Sequence, residues 1–179
     1  VTGLVMFAGG HAQAATNGRM IDDAVFDASG TMSTTDIQNF LNSFPNSCLK
    51  NWTDDMPVAD PTTAYFNYSG TGTAAQIIRR VADNYGINPR VLLTKLEQEE
   101  NLVTGNAGCQ MWRLASAVGF HCYDGANPRT TTYRGVTIQT CVDQDANMGV
   151  GRQLSKAGWL LKWGKERANG NVNWLVHDD

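Results

Sequence analysis

The chain lacks a surplus of positive charge. Its 14 lysines and arginines face 17 aspartates and glutamates, for a net charge of −3. That balance excludes a nucleic-acid binder working by phosphate neutralisation, and a broad basic surface for anionic cell-wall polymers. Histidine is scarce: His11, His121 and His177 are scattered, and no Cys or His pair stands at metal-ligand spacing. No metal or other cofactor is expected, and disulfides are the better reading of the cysteines. The apolar run at residues 4–8 is too short to span a membrane. Internal repeats and low-complexity tracts are absent. With 42% hydrophobic and 17% charged residues, the composition is that of a folded globular chain, and 179 residues suit one domain.

What is present begins with a leader-like start. Residues 4–8 followed by Ala12-Gln13-Ala14 have the apolar-then-small pattern of a truncated secretory signal, so residues 1–14 are expected to be a signal remnant and 15–179 the single domain. An exported chain with the even set Cys48, Cys109, Cys122 and Cys141 is expected to form two disulfides in an extracellular or wall-associated setting.

Residues 15–32 read as an extended lead-in. Ser33 then caps a helix in which Ile37, Phe40, Leu41 and Phe44 share a face. Residues 45–72 hold Pro45, Pro57, Pro61, Gly70 and Gly72 and read as a long loop tied down at Cys48. Thr73 and Gln76 predict a capping box, with Ile77, Ile78, Val81 and Tyr85 buried and Gly86 ending the helix in a left-handed turn. Asn88 and Pro89 predict the cap and first position of a second helix, completing an αα-hairpin. Residues 104–129 are loop-rich. The β-branched run 130–142, with Arg134-Gly135 at its middle, predicts a hairpin. It brings Cys122 and Cys141 into one region and leaves Cys48 to pair with Cys109. Residues 147–163 return to helical spacing through Val150, Leu154, Ala157 and Leu161, with Trp112, Trp159 and Trp163 assigned mainly to packing.

The second helix ends in Glu97-Gln98-Glu99-Glu100. At roughly 100° per residue, with Leu92 at zero, Leu96 falls near about 40°, Val103 near about 20° and Glu99 near about 340°. Glu99 therefore belongs to the apolar stripe, Glu97 (about 140°) points away, and Glu100 (about 80°) stays open as an alternative. A carboxyl on an apolar face is harder to ionise and can serve as a general acid. Acids at a helix C-terminus also oppose the helix dipole, a cost without structural return.

The stretch from Ala74 to Val103 resembles the signature of the lysozyme-like superfamily, in its lytic transglycosylase (goose-lysozyme-like) branch. Tyr85-Gly86-Ile87-Asn88-Pro89 matches the turn between its two helices, and Gln98-Glu99 matches the pair holding its catalytic acid. Residues 32–42, Ser116-Ala117-Val118-Gly119-Phe120 with Cys122, and Arg152-Gln153-Leu154 resemble secreted actinobacterial-type cell-wall hydrolase domains. The resemblance implies a mainly α (α+β) lysozyme-like helical domain with a small hairpin and two disulfides. It implies cleavage of the MurNAc–GlcNAc β-1,4 bond of peptidoglycan with Glu99 as general acid/base, by a monomer acting on glycan strands. The chain departs from the pattern at Glu100, where the superfamily usually has Ser, and lacks a clear Gly-Leu-Met-Gln motif, for which Gln144 or Gln153 could supply the amide.

A transglycosylase needs one acid, and this reading is favoured over the two-acid muramidase, for which Asp124, Asp143 and Asp145 are the candidates. Ser116, Phe120, Tyr123, Tyr133, Gln144 and Gln153 are the expected sugar contacts. The alternative from another class is a non-catalytic secreted wall-binding or adhesin module on the same fold.

Overall fold

The computed structural model describes residues 21–59, 66–122 and 128–174. The expected signal remnant at 1–14, together with Tyr123 and Asp124, lies outside these residues. In order, the elements are α1 (Asp23–Phe26), α2 (Thr34–Asn42), β1 (Thr53–Pro57), β2 (Tyr68–Thr73), α3 (Ala74–Tyr85), α4 (Pro89–Glu100), α5 (Met111–Ala115), β3 (Arg129–Tyr133), β4 (Val136–Thr140) and α6 (Val150–Ala168). The result is a mixed α+β fold of helices, two small two-stranded antiparallel sheets and two disulfides.

Local chemistry sets the helix ends. Ser33 with Asp36 and Thr73 with Gln76 both form reciprocal capping boxes. Gly86 closes α3 at φ 62°, a left-handed conformation that glycine enters without steric cost. Asn88 accepts from the Arg90 N–H at 3.0 Å, and Pro89 opens α4 as expected. The central α3 packs against α2, α6 and β1 and buries Ile77, Ile78, Val81 and Tyr85.

Several expectations are revised. The loop expected at 45–72 contains β1 and β2, paired from Thr53↔Thr73 to Pro57↔Tyr68 with an irregularity between Asp55 and Pro57. Pro57, Gly70 and Gly72 disguise these strands, yet both are edge strands, where such residues are tolerated. The lead-in contains α1, and the loop-rich stretch contains α5. In α2, Ile37 and Leu41 are fully buried, whereas Phe40 is 40% exposed. It meets Phe44 edge-on with ring centroids 5.2 Å apart. Trp159 is buried as expected, but Trp112 is 38% exposed.

The hairpin forms where expected. Arg134 (φ 50°) and Gly135 (φ 78°) supply the two consecutive positive φ angles of a two-residue turn. Asp54, 2% exposed, ties this hairpin to β1 and α6. Its carboxylate accepts from Tyr133 Oη (3.1 Å), Arg134 Nη2 (3.0 Å), Trp52 Nε1 (3.2 Å) and the first N–H of α6, Val150 (2.7 Å). A negative group at a helix N-terminus also suits the helix dipole. α6 runs five residues past the expected end, and its close approach requires small residues. A Cβ at Gly151 would stand 1.9 Å from the Asp55 carbonyl oxygen, and one at Gly158 would stand 2.6 Å from Val81. Both disulfides, Cys48–Cys109 and Cys122–Cys141, pair as expected.

Candidate functional site

The three glutamates that end α4 have three different environments. Glu97 closes the turn that follows the helix, accepting from the N–H groups of Val103 and Thr104 and from the Thr104 hydroxyl at 2.7–3.0 Å. It is committed to structure.

Glu99 does not lie in the apolar stripe. Its side chain is 38% exposed and is ion-paired with Lys95, one turn back. Val103 does not share the helical phase of α4, because Asn101 (φ 57°) ends the helix. The buried face is set by Leu92, Leu93 and Leu96, whose centre near about 50° lies closer to Glu100 than to Glu99.

Glu100 accordingly is the more buried acid, its side chain 13% exposed. It accepts from the Ser116 hydroxyl at 2.9 Å and from Arg113 Nη1 at 3.2 Å. Burial pushes its carboxyl above the ordinary carboxylate range; Ser116 and Arg113 pull the other way, and the charge of Glu99 adds to the rise. Of the two acids, it is thus Glu100 and not Glu99 whose burial disfavours the charged form.

Glu99 nevertheless faces a concavity. A groove of about 560 Å³ is lined by Lys95, Glu99, Gly119, Phe120 and His121, with Leu160 and Leu161 of α6 opposite. Gly119 (φ 69°) lies beside the carboxylate: a Cβ there would stand in ordinary contact, 3.6 Å from Glu99 Oε2. Phe120 is held over the groove by Gln153, whose amide accepts from the Phe120 N–H and donates to its carbonyl, both at 2.9 Å. Lys156 supports the same ring from 5.3 Å.

Of the expected sugar contacts among the described residues, only Phe120 lines the groove with Glu99. Ser116 is buried and engaged with Glu100. Gln153 is fully buried and acts on Phe120 from behind. Tyr133 is 9% exposed, on Asp54. Burial and the adjacent Asp54 charge push its hydroxyl far up. Gln144 is exposed, away from the residues lining the groove.

Neither described candidate for a second acid lines the groove. Asp145 is exposed and held by Arg129 and Thr131, whose hydrogen bonds lower its carboxyl. Asp143 stands one residue behind the groove, 3.3 Å from Nδ1 of His121. His121, one of the scattered histidines and not a candidate site residue in the sequence, lines the groove in the left-handed region (φ 57°). Its place between Phe120 and the bridged Cys122 was the only available signal.

Among the described residues, no group of three or more His, Cys, Asp or Glu is arranged to hold a metal ion, and no helix is long and apolar enough to cross a membrane.

The family described as "LasA, N-terminal domain" matches residues 19–119. The match spans more than half of the 179 residues and includes Glu99 and Gly119, but not the β3–β4 hairpin or α6. No curated protein and no solved structure matches the chain. The chain belongs to the LasA N-terminal domain family, and this membership together with its two disulfides points to a secreted protein.

Proposed function

We propose that this LasA N-terminal-type domain is a secreted peptidoglycan-cleaving glycosidase that binds glycan strands as a monomer in the groove beside Glu99. The observation that carries this reading is the Glu99 carboxylate, beside Gly119 in a groove with an aromatic wall at Phe120. The lysozyme-like resemblance around Gln98-Glu99 supports the same residue. Lys95 holds the Glu99 carboxylate, so the acid step requires Lys95 to leave Glu99 when a sugar fills the groove. A single-acid, anhydro-forming transglycosylase is favoured over a two-acid muramidase, since Asp143 and Asp145 both lie off the groove lining.

The Lys95–Glu99 pair favours a second reading, in which the groove binds wall glycan without cutting it. Purified cell walls incubated with wild type and Glu99→Gln separate the two. The enzyme reading expects wild type to release muropeptides and the variant to lose the activity by about a hundredfold or more. Equal release by both, or release by neither, overturns it. Product mass then distinguishes anhydro ends from reducing ends.

A further inference from the structure

A second groove, of about 700 Å³, runs along the outer edge of β4. One wall is Gln110, Met111 and Trp112; the other is formed by every residue from Val136 to Cys141 in succession. Side chains of a strand alternate between faces, so an unbroken run lining one groove means that the strand's edge borders it.

The register shows which backbone groups lie there. Tyr133↔Val136 closes the two-residue turn, and pairing continues without a bulge to Arg129↔Thr140. A pair closing such a turn is hydrogen-bonded, and bonded and non-bonded pairs then alternate. Val136, Ile138 and Thr140 therefore bond to β3, while the N–H and C=O of Thr137 and Gln139 point away from it. Among the described residues neither residue has a backbone partner on that outer side. Beyond Cys141 the chain at Cys122 bridges Val142, which bounds the free edge at that end. Protein edges are commonly protected by a charge, a proline or a bulge, and β4 (Val-Thr-Ile-Gln-Thr) has none of these.

We propose that this edge is a docking site for an uncharged, extended peptide segment, which adds as a third strand along β4. Two outward N–H and two outward C=O groups in strand spacing complement a peptide backbone, not a sugar ring. The lining carries no charged side chain, and the one cation beside it, Arg113, is engaged by the Trp112 ring, Gln110 and Glu100. Val136, 43% exposed, and Trp112, 38% exposed, supply apolar contact for the incoming side chains. The proposal is independent of the Glu99 groove.

The test uses the whole chain and a fluorescent acetyl-Thr-Val-Thr-Val-Thr amide as probe. Binding is expected, with new amide-exchange protection at Thr137 and Gln139 and none at Glu99. Gln139→Pro removes an outward N–H without touching the bonds to β3, so the variant should keep its melting temperature and weaken the probe by about tenfold. Methylating the probe's amide nitrogens should do the same. No binding, binding insensitive to both changes, or protection that grows with protein concentration in the absence of probe each overturn the proposal. The last outcome would mean that the edge pairs with a second copy.

Discussion

Gln153, without exposed surface, holds Phe120 by both backbone groups, as a neighbouring strand would. Its Nε2 also donates to the Asn147 carbonyl at 2.8 Å, joining the start of α6 to the groove wall. A residue expected to touch sugar instead fixes the one that can.

Gln153→Leu should therefore cost about 2–4 kcal/mol, because the Phe120 amide and the Phe120 and Asn147 carbonyls lose a buried partner. Urea unfolding reads the cost. Amide exchange at Phe120 should speed up in the folded variant, whereas a merely cavity-forming change would leave that amide protected.

Asp54 is the point where β1, the β3–β4 hairpin and α6 meet. Asp54→Ala should destabilise the fold by about 3–5 kcal/mol, since it strands a partly buried arginine and an unfilled helix N-terminus. Thermal or urea unfolding measures this. A loss no larger than that of an ordinary surface substitution would show that the knot is dispensable.

The Cys48–Cys109 bond closes 61 residues of chain. Cys109→Ser should expose one reactive thiol, at Cys48, and destabilise by about 4 kcal/mol on the chain-entropy account. Peptide mapping after thiol labelling identifies the site, and label at Cys122 would contradict the pairing.

Glu100 offers a dependence on pH. Its folded value lies above the ordinary 4.5, so its contribution is fully present below that value and is lost as pH rises through the folded one. Glu100→Gln does not titrate. Relative to wild type the variant should thus gain stability between about pH 4 and about pH 7, as read by urea midpoints at the two values. A difference that stays constant with pH would contradict the raised carboxyl at Glu100.

The caps at Ser33, Thr73 and Asn88, the left-handed stop at Gly86, the Arg134-Gly135 turn and both disulfides were legible in the sequence. Each is decided by a few neighbouring residues, or by a hairpin that brings its ends together. Strands β1 and β2 were not legible, because proline and glycine mask them and only their pairing makes them strands. The choice between Glu99 and Glu100 turned on where α4 ends, because the left-handed Asn101 removes Val103 from the helical phase. Helical phase places both near the apolar face, but burial depends on what covers them. Ser116 and Arg113, 16 and 13 residues further along, close over Glu100, while Glu99 lines the groove. Local spacing determines which side chains share a face; only the packing of distant elements decides which of them keeps its contact with water.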